Sequence, residues 1–204
     1  MISDNLQISL FSDIDNLKSL ENHSSLKSKI TLTRIKSADI LEVNYFFEKT
    51  QFGNIIIATS NGKIIQVQFI ESQSVAIEKL KTQFKFAVLT EFRDSVMKVA
   101  LTFFHKSDTS QICLEIQVEC TEFQLAVWQQ LLKIPFGKKV TYGKIAKDLQ
   151  KANGNRAVGT ATGKNPIAFL IPCHRVSRLD GDLAGYRWGI QRKLNILQWE
   201  RSYQ

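Results

Sequence analysis

The stretch VTYGKIAKDLQKANGNRAVGTATGKN, residues Val140–Asn165, holds two helix-like segments separated by a polar break. In the first, Thr141 is placed to cap a short helix. The break falls at Lys151-Ala152-Asn153-Gly154, where Asn and Gly favour a turn. The second segment is crowded with Ala, Gly and Thr. Two short helices joined by a tight turn resemble a helix-turn-helix, and small side chains on the second would let its backbone approach a partner closely.

The flanks extend this reading. Upstream, EFQLAVWQQLLKI spaces Phe123, Val127, Leu131 and Ile134 at three- and four-residue steps, as an amphipathic helix does, and Pro135-Phe136-Gly137 stops it. Downstream, Asn165-Pro166 imposes an extended turn. The apolar run IAFLIPC then leads to Cys173, and a polar loop, RLDGDLAG, precedes a last helix in QRKLNILQWE. Residues 120–204 are therefore expected to form a mostly α C-terminal domain with a helix-turn-helix.

The earlier half has a different texture. VNYFFEKT, GNIIIATS and GKIIQVQFI are short runs rich in β-branched and aromatic residues, the last two opening on Gly53-Asn54 and Gly62-Lys63. They predict consecutive antiparallel strands. SQSVAIEKLKTQF, through Val75, Ile77, Leu80 and Phe84, and FRDSVMKVALTFF, through Val96, Val99, Ala100 and Phe103, predict two helices; CLEIQVE at residues 113–119 predicts another strand. Residues 43–119 thus read as an α/β N-terminal domain, a small antiparallel sheet with helices, without a catalytic constellation. Residues 1–42, rich in Ser, Asn, Asp and Lys, read as a polar extension with little core of its own.

A chain of 204 residues that is 44% hydrophobic has room for one sizeable core or two small ones, which excludes a disordered or fibrous protein. No run approaches the roughly 18 apolar residues of a membrane span, and MISDNLQISLF lacks the basic start and long apolar run of a signal peptide; a soluble, cytoplasmic protein is expected. The three cysteines form no C-x-x-C and sit beside no closely spaced histidines, so neither a disulfide framework nor a metal site is expected. The net charge of +8 is uneven. Residues 1–120 carry 13 Lys+Arg against 14 Asp+Glu, and residues 121–204 carry 14 against 5. A basic block of this kind fits either a surface that meets phosphates or a lysine-rich soluble domain.

Within that block lies LIPCHRV, residues 170–176. Cysteines are usually buried and inert, and Cys113 and Cys120 are assigned to that class. Cys173 differs: Pro172 fixes its approach, while His174 and Arg175 supply positive or proton-accepting groups that favour the reactive thiolate. Neighbours in a regular strand point to opposite faces. Cys173 and His174 can therefore cooperate only if the chain bends there or a water bridges them.

IPCHRV, preceded by RAVGTA and GKNP and followed by GYRWGIQRKLNILQWE, closely resembles the O6-alkylguanine-DNA alkyltransferases, or methylated-DNA–protein-cysteine methyltransferases, and among them the C-terminal half of the Ada-type proteins. The match runs from about Glu42 to Glu200. The resemblance implies that Cys173 is the alkyl acceptor, activated through His174 with Glu200 as the orienting carboxylate, the general arrangement for an activated thiol. It implies that Asn165 holds the turn before the active-site segment, that Tyr142 crowds the target nucleotide's phosphate and donates to the guanine ring, and that Arg156 enters the stack vacated by the flipped base. Gly143 and Lys151 would be further DNA contacts. Val176, Tyr186 and Arg187 would line the pocket, with backbone groups reading the base edges. The implied partner is double-stranded DNA carrying O6-methylguanine, with O4-methylthymine a further candidate, bound through the minor groove by a monomer without cofactor, metal or membrane. Such a carbon lies inside the duplex until the nucleotide rotates out, and phosphate contacts would dominate affinity. The thioether product implies one turnover per molecule.

Taken singly, these residues have plainer readings: Tyr142 and Trp128 as core aromatics, Arg156 as a phosphate contact, and Glu200 as a solvated carboxylate opposing its helix dipole. The matched spacing of the set favours the functional roles. Departures from the family pattern are Cys120 in place of a small glycine, Ala184 before Gly185 in the pocket loop, and residues 1–42, which align with nothing. The cysteine-rich zinc domain of Ada-type proteins has no counterpart in the sequence, so a transcriptional sensor role is not expected. The rival readings are a non-catalytic alkylated-DNA-binding protein, which Cys173 argues against, and a cysteine hydrolase, which would rely on His23 or His105.

Overall fold

Two tight turns organise the N-terminal half. A computed structural model describes residues 29–105, 109, 111–151, 153–178 and 185–203; residues 1–28 with His23, and residues 179–184 with Ala184, lie outside the described residues. Strands β2 (Glu42–Thr50) and β3 (Gly53–Ser60) pair antiparallel, as do β3 and β4 (Lys63–Phe69). The second turn is Asn61-Gly62, both at positive φ, the two-residue connection whose twist suits a hairpin. Helix α1 (Gln73–Gln83) follows, then β5 (Val88–Glu91), α2 (Ser95–Thr102) and β6 (Cys113–Val118).

The sheet is mixed, which corrects the antiparallel expectation. β5 runs parallel to β2, and β6 parallel to β4. Each parallel partner returns after an intervening helix, and such a crossover is what parallel pairing requires. Strand β1 (Lys29–Arg34) pairs parallel with β6, giving the order β1-β6-β4-β3-β2-β5. Residues 29–42 are therefore part of the folded domain and not of a polar extension: Leu32 and Ile40 are buried. The alternation of Ile30 and Leu32 with threonines was a strand signal hidden among polar neighbours.

Both predicted helices form, capped by Ser72 and Asp94, and of the expected face residues Leu80, Phe84 and Ala100 are buried. Ala76, Leu80 and Phe84 are buried in and after α1, and Met97, Ala100, Leu101 and Phe104 in and after α2, while Val75 and Val99 are exposed. α1 covers one sheet face, packing on Val43, Ile56 and Ile65. The opposite face, Ile55, Ile57, Ile64 and Val67, joins the C-terminal residues Val127, Trp128, Val158, Ile171 and Ile196 in one continuous core. β3 and β4 are buried on both faces, hence their nearly uninterrupted apolar sequences.

In the C-terminal half, α3 (Glu122–Leu132) starts on a reciprocal cap between Thr121 and Gln124, just after the half-buried Cys120, and ends before Gly137 at φ +70°. α4 (Tyr142–Asp148) is capped by Thr141 as expected, and α5 (Asn155–Gly163) follows a turn whose Gly154 has a backbone carbonyl 2.9 Å from where a Cβ would stand. Trp128 is a core residue whose indole N–H donates to the Ala161 carbonyl at 2.9 Å, binding α3 to α5. Beyond α5, Ala168 N–H donates to the Val67 carbonyl, so the segment leading to Cys173 is stitched onto β4. A short parallel ladder that the sequence reading lacked, β7 (Val140–Thr141) with β8 (Val176–Ser177), sets the start of α4 beside the residues following Cys173. The chain ends in α6 (Ile190–Arg201). No helix among the described residues is long and apolar enough to cross a membrane.

Candidate active site

Asn165 is fully buried directly after α5 and gathers the next eight residues around its amide. Its Oδ1 accepts from Ile167 N–H at 2.9 Å, and its Nδ2 donates to the Ile167 and Ile171 carbonyls at 3.0 and 3.1 Å and to the Cys173 Sγ at 3.3 Å. A side chain that must accept at one end and donate at the other is an amide. Residues 165–173 thus form a closed loop that presents the buried thiol.

The chain does bend at the cysteine. Cys173–Arg175 form one 3-10 turn, so the alternation of a strand does not apply. His174 is fully buried; its Nε2 meets Glu200 Oε1 at 2.9 Å, and its Nδ1 is buried with no hydrogen-bond partner among the described residues. With the proton on Nε2 facing the carboxylate, Nδ1 is left as the acceptor. The imidazole lies nearly parallel to the Phe169 ring, centroids 5.7 Å apart, and Phe169 itself holds φ +67°, a costly conformation for a bulky residue that the packing around it enforces.

Glu200 is buried, not a solvated helix-end group. Besides His174 it accepts from Arg175 Nε and Nη2 at 2.8–3.2 Å and from Gly137 N–H at 3.1 Å. Burial would raise its pKa, but the hydrogen bonds and charges of His174 and Arg175 hold it at about 2. Burial lowers the pKa of His174, with Glu200 opposing. Burial also pushes the Cys173 thiol up, opposed by the Asn165 hydrogen bond and the charge of Lys193. At rest the site therefore holds a protonated thiol, a neutral imidazole and a carboxylate, the set needed to move one proton off sulfur as sulfur attacks.

Tyr142, half-buried at the start of α4, is close enough to Cys173 for the thiol's charge to raise its pKa in addition to burial, and its ring lies 3.8 Å from where a Cβ on Gly159 would stand. The Tyr186 hydroxyl is buried beside the Cys173 thiol; burial and then Cys173 push its pKa well up. Val176 is buried, and its carbonyl accepts from the buried Lys193 Nζ at 2.7 Å. Arg187 reaches the site through its side chain, donating to the Asn165 carbonyl at 3.2 Å. Cys173, His174, Glu200, Asn165, Tyr142, Val176, Tyr186 and Arg187 are thus brought together. Arg156, Gly143 and Lys151 lie instead on the α4–α5 unit, Arg156 and Lys151 exposed, outside the hydrogen bonds of the thiol. His105 is exposed at the end of α2 and takes no part.

Three participants escaped the sequence reading as site residues: Arg175, Lys193 and Gly137. A signal existed for Lys193, because Lys193, Ile196, Leu197 and Glu200 occupy one helical stripe, and a stripe anchored by two leucine-type residues carries its terminal charges into the interior with it.

The family described as "6-O-methylguanine DNA methyltransferase, DNA binding domain" matches residues 122–202. A methylated-DNA–protein-cysteine methyltransferase of Methanosarcina acetivorans is 32% identical over 158 residues, covering 78% of this chain and 98% of its own. The chain belongs to the O6-alkylguanine-DNA alkyltransferases. The regulatory protein Ada of Salmonella typhimurium is 35% identical over 81% of this chain, which spans about half, 47%, of that relative. A crystal structure of Mycobacterium tuberculosis OGT in complex with DNA superposes with a TM-score of 0.63 at 29% identity, covering 78% of this chain and 93% of that one. The mixed sheet followed by a helical part is thus the alkyltransferase fold.

Proposed function

We propose that this alkyltransferase removes the methyl group from O6-methylguanine in duplex DNA and keeps it on Cys173, once per molecule, acting as a monomer in the cytoplasm. The observation that carries the reading is the buried thiol held by Asn165 at 3.3 Å beside a histidine whose Nε2 is fixed on Glu200 and whose Nδ1 has no hydrogen-bond partner among the described residues. A buried polar atom of that kind calls for a water, and one water between Nδ1 and Sγ would carry the proton.

In the reaction the S–CH3 bond forms as the CH3–O6 bond breaks. The electron pair of the broken bond stays on the guanine, which takes one proton on its ring through the Tyr142 hydroxyl, and the thiol proton, passed to His174, is the one that restores the balance through solvent. Glu200 stabilises the imidazolium that forms. Tyr142 donates to the ring of the departing guanine, and Val176, Tyr186 and Arg187 line the pocket. α4 and α5 act as a helix-turn-helix in the minor groove, with Arg156 filling the space of the extruded nucleotide and Gly143 and Lys151 on the backbone. The readout there needs little base specificity, as damage can lie anywhere. O4-methylthymine presents the same oxygen-bound methyl and is a second substrate.

Incubation with a duplex carrying O6-methylguanine, followed by peptide mass analysis, tests this. One methyl group on the Cys173 peptide, absent in Cys173→Ala, is the expected result. Tight binding of the damaged duplex without any mass gain would show a lesion-binding protein instead.

A further inference from the structure

We propose that Arg192 is a positioning residue for alkyl transfer: its guanidinium ties the segment carrying Tyr186 and Trp188 to the β2–β3 turn, so that the N-terminal half sets the place of Tyr186 beside Cys173. This rests on the reading of Cys173 as the alkyl acceptor. Arg192 stands in the first turn of α6, its side chain 19% exposed. Nε donates to the Phe52 carbonyl at 2.8 Å, Nη1 to the Trp188 carbonyl, and Nη2 to Glu71 at 3.2 Å. The guanidinium lies 4.6 Å from the centroid of the Phe69 ring.

Phe52, Glu71 and Phe69 all belong to the N-terminal half, so one side chain gathers three of its groups and attaches them to the pocket segment. The Trp188 ring meets Phe69 edge-on at 6.1 Å and Tyr186 at 5.3 Å, which passes the constraint to the phenol whose hydroxyl neighbours the thiol. Residue 53 fits this arrangement: Gly53 has φ +122°, and a Cβ there would stand 3.1 Å from Arg192 Nη2. A planar fork can serve two carbonyls at once, whereas a lysine ammonium is a point donor.

In-line displacement at a methyl carbon is sensitive to placement, and a shift of about 1 Å can cost on the order of 100-fold. A mere staple between the halves would lower stability and leave the transfer step alone. The test compares full-length wild type, Arg192→Gln and Arg192→Lys in single-turnover methyl transfer from a saturating O6-methylguanine duplex, read on the Cys173 peptide, with affinity for undamaged duplex measured alongside. Transfer by Arg192→Gln is expected to slow about tenfold, with duplex affinity within about twofold, and Arg192→Lys to recover only part of the rate. Should Arg192→Gln fail to fold, as thermal melting would reveal, the lysine variant bears the same comparison. Folded variants that transfer within about twofold of wild type, or that lose only duplex affinity, overturn the proposal. A wild-type chain that takes up no methyl group removes the acceptor reading itself, before any substitution is compared.

Discussion

Replacing Glu200 with glutamine removes one charge and almost no volume, and the site gives its consequence a size. The carboxylate is fully buried, and every group it meets is a donor: His174 Nε2, Arg175 Nε and Nη2, and Gly137 N–H. An amide must turn its own NH2 toward one of them. It also leaves the Arg175 guanidinium, 14% exposed, without its counter-charge. A pKa of about 2 in place of the ordinary 4.5 corresponds to at most about 3 kcal/mol in favour of the folded state, with Arg175 the charged partner at neutral pH. Breaking a buried ion pair by removing one partner costs about 3–5 kcal/mol, which is of the same order.

The sign follows from the direction of the shift. A carboxylate with a depressed folded pKa contributes fully above its unfolded value near 4.5 and loses the contribution as pH falls toward 2. His174, lowered below 6.5 by burial with Glu200 opposing, contributes a separate loss on acidification below that value, and the loss is larger in Glu200→Gln, where the opposing carboxylate is gone. Urea unfolding of wild type and Glu200→Gln, followed by tryptophan fluorescence from about pH 7 down to pH 5, reads both effects. The expected gap is about 3 kcal/mol at pH 7, equivalent to about 6–12 °C in Tm, and it opens further toward pH 5, where His174 keeps its counter-charge only in wild type. A gap below about 1 kcal/mol at pH 7, or one that closes between pH 7 and 5, would refute the buried ion-pair account.

Asn165→Asp puts a carboxylate against the Cys173 sulfur and the Ile167 and Ile171 carbonyls in place of the donor they now share; the thiol pKa should rise further, moving the pH profile of iodoacetamide labelling at the Cys173 peptide to higher pH, and an unmoved profile would contradict the contact. The thiol's raised pKa also means that the folded state holds a proton which the unfolded chain gives up near pH 9, so wild-type stability should decline above pH 9 and that decline should shrink in Cys173→Ala, as urea titrations at about pH 8 and 10 would show. Arg156→Ala, at an exposed position in the first turn of α5, removes the side chain that would fill the place of the extruded nucleotide and should weaken duplex binding about equally across sequences, with the salt slope little changed. Fluorescence anisotropy at several salt concentrations checks this: an unchanged affinity would take Arg156 off the DNA, and a slope reduced by about one would make it a phosphate contact instead.

What was legible in the sequence was chiefly local. Hairpin turns, the Thr141 cap and the stop at Pro135 depend on a few adjacent residues; Ser72, Asp94 and Thr121 cap their helices by the same local rule, although the sequence was not read that way at those positions. Strand direction was not legible, because β5 and β6 are made parallel by crossovers that no residue in either strand encodes. The helix faces of α1 and α2 were legible in part: Leu80, Phe84 and Ala100 are buried as their spacing predicts, whereas Val75 and Val99 satisfy the same spacing and stay exposed, because only the sheet decides which residues are covered.

The site divides along the same line. Cys173, His174, Asn165 and Glu200 were found through the spacing of a family motif, and all four meet in one buried cluster. The manner in which His174 serves its neighbour was not legible, since it depends on a 3-10 turn whose cause is remote: Asn165 closes the loop from one side, while Glu200 draws both His174 and Arg175 inward from the other. Two consecutive side chains reaching one carboxylate are incompatible with an extended strand, where they would point apart. The bend at the cysteine is therefore what lets Glu200 hold two partners in a row, and Arg175, read from the sequence only as a nearby positive charge, shares that carboxylate with His174.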